Sequence, residues 1–306
     1  MRVAIGIDVG GTKTAGGVVG PDGVVRHGVV RPTPAAAGAG AVLATACDIA
    51  VTLAERAREL GDDVVGCGAG VAGTVDPAGV ITHATRSLPG WAGTDVASAL
   101  AAATGLPVRV VNDVHALALG EVRWGAAAGA PSALVVAVGT GVGGAFVLDG
   151  ELVVGRSGTG GAIGHVPVGE EGRACPCGGV DHLEAYASGP AIVARYREHG
   201  GDATRLQDVV AAAGSGVALA RDALAEAGAL IGRAVGGAMN LLDPHALVIG
   251  GGVVNAGPVL VDAVRREVAA VALPGPRGVP VVTATGLAHG NVVGAASLVA
   301  DVGRST

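Results

Sequence analysis

Short apolar runs that stop at glycine alternate along this chain with longer stretches of helical spacing. Val3 to Asp8 is the first run, and it ends in Val9-Gly10-Gly11-Thr12-Lys13-Thr14. Ala15 to Val19 and Val24 to Val30 flank Pro21-Asp22-Gly23, which predicts a hairpin. Ala39 to Leu60 has helical spacing, with charged residues at its end. Val64 to Val71 and Val108 to Val111 predict buried strands. The second of these runs into Asn112-Asp113 and a helix reaching Trp124. Ala133 to Val138 and Gly143 to Leu148 predict strands on either side of Gly139-Thr140-Gly141. Gly155 to Gly179 reads as a glycine-rich loop, and Ser188 to Leu242 as mostly helical. Ala246 to Ile249 predicts a strand that stops at Gly250-Gly251-Gly252. Pro258 to Leu273 and Asn291 to Asp301 predict helices.

One pattern occurs twice. A strand, a Gly/Thr turn and a second strand span 3–19 and again 133–148, and each copy then turns helical. This predicts a duplicated α/β unit with a central cleft between the copies. The expected domains are residues 1–115 with 290–306, a smaller α/β domain, and 116–289, a larger α/β domain. A length of 306 residues agrees with about two domains of ~150 residues each.

Composition narrows the classes. Half the residues are hydrophobic, as in a globular chain. Only five aromatics are present (Trp 2, Tyr 2, Phe 1), so the core must be built from Val, Ala, Leu and Ile. Net charge is −6, Lys13 is the only lysine, and no basic block stands out, which argues against a nucleic-acid partner. No unbroken apolar run approaches the ~18 residues of a membrane span, and the amino terminus does not read as a cleavable signal. Cys47 and Cys67 lie in apolar segments and Cys175 and Cys177 form a Cys-x-Cys pair, so the cysteines suit a reducing cytoplasm better than a disulfide framework.

Three groups of residues carry candidate chemistry. Asp8 with Gly10, Gly11, Thr12, Lys13 and Thr14, and Gly139, Thr140 and Gly141, form turns at strand ends. Glycine there lets successive N–H groups approach an anion, so each turn is either a phosphate cradle or only a tight hairpin. Neither matches a Walker loop or a dinucleotide fingerprint. Asp8 has the oxygen chemistry to hold a hydrated Mg²⁺. Asp113 stands at a strand-to-helix junction, either as a helix cap or as the base that accepts a substrate hydroxyl's proton in phosphoryl transfer, with Asn112 holding a neighbouring hydroxyl. His165, Cys175, Cys177 and His182 offer two sulfurs and two imidazoles, the donor set of a closed structural Zn²⁺ site; the alternative is two free thiols and two unrelated histidines.

Taken in order, Asp8-Val9-Gly10-Gly11-Thr12, Ser87-Leu88-Pro89-Gly90-Trp91, Asn112-Asp113 with Leu119-Gly120-Glu121, Gly139-Thr140-Gly141-Val142-Gly143, Gly164-His165, Cys175-Pro176-Cys177-Gly178, Leu183-Glu184-Ala185-Tyr186-Ala187-Ser188-Gly189 and Ile249-Gly250-Gly251-Gly252 resemble the ROK sugar kinases, the glucokinase-like group. The resemblance spans nearly the whole chain. It implies a two-domain actin/hexokinase-like (ribonuclease H-like) fold and ATP- and Mg²⁺-dependent transfer to the 6-hydroxyl of a hexose. Asp113 matches the family's base. Asn112, His165 and Glu184 match sugar contacts, with His165 shared with zinc, and Gly250, Gly251 and Gly252 match the turn near the adenosine. It also implies a homodimer or homotetramer.

Three positions depart from the family pattern. Ala162 stands where the family usually has the glutamate of Gly-Glu-x-Gly-His. Ser87 stands where it often has asparagine, and His182 replaces the last zinc cysteine. A site built to pair hydroxyls discriminates strongly when a partner is lost, so an altered hexose is expected, such as an aminoglucose of the kanosamine type. Two other readings compete. A repressor of the same family needs an amino-terminal helix-turn-helix, for which no room is expected before Asp8. A sugar-binding sensor without catalysis is the other.

Overall fold

The structure is a computed structural model, and it describes residues 1–84, 88–285 and 290–300, apart from the side chains of Asn255 and Ala256. Two compact units emerge: Met1–Gly129 with Gly150–Gly160 and the segment from Thr285 onward, and Ala130–Asp149 with Gly161–Ala284.

In the first unit the apolar runs become β1 (Arg2–Val9), β2 (Lys13–Val19) and β3 (Val25–Pro32), followed by α1 (Ala39–Glu59) and β4 (Asp63–Val71). A small hairpin, β5 (Thr74–Val75) and β6 (Ile81–His83), precedes α2 (Val96–Thr104), β7 (Val108–Asn112) and α3 (Asp113–Trp124). The main sheet runs β3-β2-β1-β4-β7. Its β1–β2–β3 pairs are antiparallel, and β4 is parallel to both β1 and β7. Ile5, Ile7, Ile49, Leu53, Leu88 and Trp91 fill its core. The Trp91 indole Nε1 donates to the Ala72 carbonyl at 3.1 Å.

The second unit repeats the plan. It has β8 (Ser132–Val138) and β9 (Val142–Leu148); β10 (Glu151–Leu152) opens the Gly150–Gly160 segment. The helices α4 (Glu184–Ala187), α5 (Gly189–Glu198), α6 (Leu206–Gly214) and α7 (Ala218–Leu242) follow. Then come β11 (Ala246–Gly250), α8 (Pro258–Val271), α9 (Pro274–Arg277) and β12 (Val281–Thr283). The strands run β9-β8-β11-β12, with an antiparallel β8–β9 hairpin and parallel pairs beyond it, matching β2-β1-β4-β7. The core is Leu, Val, Ile and Ala from β8, β11, α7 and α8.

The last helix, α10 (Gly290–Ala300), returns to the first unit and packs on β1, β4 and α3. Gly6 and Gly68 permit this, because a Cβ at either would overlap the α10 backbone at Val292 or Ala295. The expected boundary after His115 therefore moves: α3 packs on α10, so the first unit runs on to Gly129. The predicted hairpin, strands and helices are all present within a residue or two. Val96–Thr104, Pro274–Arg277 and the short strands β5, β6, β10 and β12 carried no clear signal. Among the described residues, no helix is long and apolar enough to cross a membrane.

Candidate active site

The first Gly/Thr turn joins β1 to β2. The Gly10 N–H donates to the Lys13 carbonyl at 3.0 Å and closes the turn. Thr12 and Lys13 are exposed on it. Thr14 corrects the expectation of a donor there: it is fully buried, and its hydroxyl meets the Thr33 hydroxyl at 2.9 Å. Thr33 in turn donates to the Gly10 carbonyl at 2.7 Å, so Thr14 and Thr33 brace the turn from beneath. Asp8, at the end of β1, accepts a bond from the Asn291 amide at 3.2 Å. Its carboxylate is the hard oxygen donor that Mg²⁺ takes, so the residue fits that ion.

At the β7–α3 junction the cap is Asn112, not Asp113. The Asn112 Oδ1 accepts the Val114 N–H at 2.9 Å, and its Nδ2 donates to the Gly73 carbonyl at 3.0 Å. Asp113 occupies the first helical position, where its Oδ1 also accepts the Val114 N–H at 2.9 Å. Burial pushes the Asp113 carboxyl up to about 6, the nearby Asp8 charge adds to the rise, and the bonds from Val114 and Asn112 oppose it. A carboxylate tuned near neutrality is what a general base requires. Ser87 lies outside the described residues.

In the second unit Gly139-Thr140-Gly141 joins β8 to β9, with Thr140 exposed. The Glu184 carboxylate, at the start of α4, accepts the Val142 N–H through Oε2 at 2.8 Å. Gly250 ends β11, and Gly251 follows in the left-handed region with φ 82°. Ala162 precedes the 3-10 turn Ile163–His165 and presents a methyl group there.

The sulfur and imidazole residues converge within the second unit. The ligand atoms of His165, Cys175, Cys177 and His182 all lie within 4.8 Å of one another. Cys175 Sγ is 3.8 Å from His165 Nδ1, and Cys177 Sγ is 3.2 Å from His182 Nδ1. A tetrahedral Zn²⁺ with bonds of about 2.0–2.3 Å spaces its ligand atoms about 3.3–3.8 Å apart, so the four residues fit that ion. Burial pushes the Cys175 thiol up to about 11; a bound cation opposes this by favouring the thiolate.

Other polar residues around these groups carried no assignment from sequence. Asn291 holds Asp8 from 283 positions away, and nothing in the chain's pattern links the two. Glu121 is 1% exposed and accepts bonds from the Ala126 N–H at 2.8 Å and from the Thr285 N–H and hydroxyl at 3.1–3.2 Å. The Leu119-Gly120-Glu121 motif marked it without a role. His115, also buried, lies 3.0 Å through Nε2 from the Gly160 carbonyl.

The model of the ROK family matches residues 4–302. A glucokinase from Thermotoga maritima is 32% identical, covering 97% of each chain, and a glucokinase from Streptomyces coelicolor is 30% identical, covering 87% of each. A ROK family glucokinase from Streptomyces griseus, solved with glucose and AMPPNP, superposes with a TM-score of 0.83 at 30% identity, over 97% of this chain and 99% of that one. The two units thus have the actin/hexokinase-like fold, and the chain belongs to the ROK family, among its glucokinase-like sugar kinases.

Proposed function

We propose that this chain transfers the terminal phosphoryl group of ATP to the 6-hydroxyl of a hexose, with Asp113 as the base. The observation that carries the reading is the Asp113 carboxyl itself. Asn112 already caps α3, and burial with the Asp8 charge raises Asp113 to about 6. Asp113 takes the hydroxyl proton as the sugar oxygen bonds to phosphorus and the bond from that phosphorus to the ADP oxygen breaks. Positioning dominates such a reaction, because its transition state is loose. Asn112 has a second N–H with which to hold a neighbouring hydroxyl. Ser87, His165 and Glu184 are the further sugar contacts. Gly11, Thr12 and Lys13, with Thr140 and Gly141, donate to phosphate oxygens, on turns that the internal bonds of Gly10 and Gly139 close; Gly250, Gly251 and Gly252 border the adenosine. Mg²⁺ held at Asp8, when bound, neutralises phosphate charge. Structural Zn²⁺ on His165, Cys175, Cys177 and His182 pins the loop that carries His165.

The hexose is glucose or an aminoglucose such as kanosamine. The glucokinase relatives and the glucose in the S. griseus structure support the first. The Ala162 methyl, in place of a carboxylate acceptor, supports an altered sugar. The enzyme works in the cytoplasm as a homodimer or homotetramer. The test is ATP consumption over glucose, its amino derivatives, mannose and N-acetylated sugars. Turnover with at least one hexose is expected; binding of a sugar with no turnover of any would favour a sensor instead.

A further inference from the structure

We infer that Glu184 is also a positioning residue for the nucleotide: its carboxylate holds the Gly139–Gly141 turn in the shape that receives phosphate, before any sugar binds. The inference rests on the reading of that turn as a phosphate cradle. Two bonds fasten the turn to a single short segment. At one end Glu184 Oε2 accepts the Val142 N–H at 2.8 Å, and at the other the Gly189 N–H donates to the Gly139 carbonyl at 2.8 Å. Inside the turn the Gly139 N–H donates to the Gly141 carbonyl at 2.9 Å. Gly141 lies so close to the Glu184 carboxylate that a Cβ there would overlap Oε2. Leu183 and Ala187, both fully buried, lock the segment into the core of the second unit.

This arrangement gives one carboxylate two duties. As a sugar contact, Glu184 affects the acceptor. As the acceptor for Val142, it fixes the backbone whose N–H groups face the donor. A charge-assisted bond to a backbone N–H is stronger than a neutral one, and a preformed cradle spares the ligand the ordering cost. A Glu184 that served the sugar alone would leave nucleotide affinity untouched when no sugar is present.

The test is titration of AMPPNP with Mg²⁺ into the sugar-free protein, by calorimetry. Glu184→Ala is expected to raise the dissociation constant about ten- to a hundredfold, the range of one lost charge-assisted bond. Glu184→Gln keeps an oxygen that accepts the Val142 N–H, so it should stay within about threefold of the parent, a split that general destabilisation would not produce. Unchanged affinity in Glu184→Ala overturns the inference. Absence of AMPPNP binding to the parent protein itself overturns the cradle reading instead. If Glu184→Ala does not fold, amide exchange on the ligand-free parent decides: the Val142 amide is expected to be protected, and fast exchange there contradicts the hold.

Discussion

Replacing Asp113 by asparagine should make the protein more stable and nearly inactive. In the folded chain the carboxyl is raised to about 6 from an ordinary 3.8, chiefly by burial and then by Asp8. The rise from 3.8 to about 6 is worth about 3 kcal/mol of ionisation free energy, since a tenfold change in an equilibrium is about 1.4 kcal/mol. Asp113 keeps partial contact with solvent, which brings the expected figure to roughly 1–3 kcal/mol. Because the folded pKa is the higher one, ionisation costs stability above about pH 6, and the cost fades as the pH falls toward the ordinary value. Asparagine has nearly the same shape, its oxygen still accepts the Val114 N–H, and it does not ionise. Urea midpoints should therefore favour Asp113→Asn at pH 8 and converge with the parent near pH 4. Turnover should fall by ~10²–10⁴-fold while sugar and AMPPNP still bind. The parent's activity should drop as the pH passes below about 6, when the base is protonated. A variant less stable at pH 8, or a gain equal at both pH values, would refute the reasoning about buried charge; near-parental turnover would refute the base.

Three further outcomes follow from other residues. Protein purified without added metal should contain about one Zn²⁺ per chain, and Cys177→Ser should lose it and weaken sugar binding more than nucleotide binding; elemental analysis and calorimetry check both. Ala162→Glu should improve kcat/KM for glucose by about ten- to a hundredfold, since it adds an acceptor for charge-assisted hydroxyl bonds, and a sugar panel reads the shift in preference. Glu121→Ala should cost roughly 1–3 kcal/mol in urea unfolding, because it removes the buried carboxylate that gathers the half-buried Ala126 N–H and the exposed Thr285; a loss under about 0.5 kcal/mol would contradict that role.

Much of this was legible in the chain. Runs that stop at glycine announce strand ends, and the repeated strand–turn–strand pattern appears as the matching orders β2-β1-β4-β7 and β9-β8-β11-β12. The spacing of His165, Cys175, Cys177 and His182 was enough to mark a cluster, because a Cys-x-Cys turn brings its sulfurs together locally. What escaped depends on long-range packing. Asn112 and Asp113 are adjacent polar residues at one junction, and the backbone decides which of them caps: Asn112 is still extended, while Asp113 is already the first helical residue. Thr14 looks like a donor beside Thr12 until β2, which begins at Lys13 and is buried from Thr14 onward, carries it inward against Thr33. The reach of Asn291 to Asp8 has no local signature, since it exists only because α10 returns to the first sheet. The domain boundary shifted for the same reason.

The central claim is ATP-dependent phosphorylation of a hexose at its 6-hydroxyl. Phosphorus and carbon NMR of the product formed from ATP, Mg²⁺ and the best sugar of the panel tests it most directly. The account predicts ADP and a hexose 6-phosphate in equal amounts, formed by the parent and suppressed in Asp113→Asn. Phosphate at another hydroxyl, or ATP lost only to water, would contradict it.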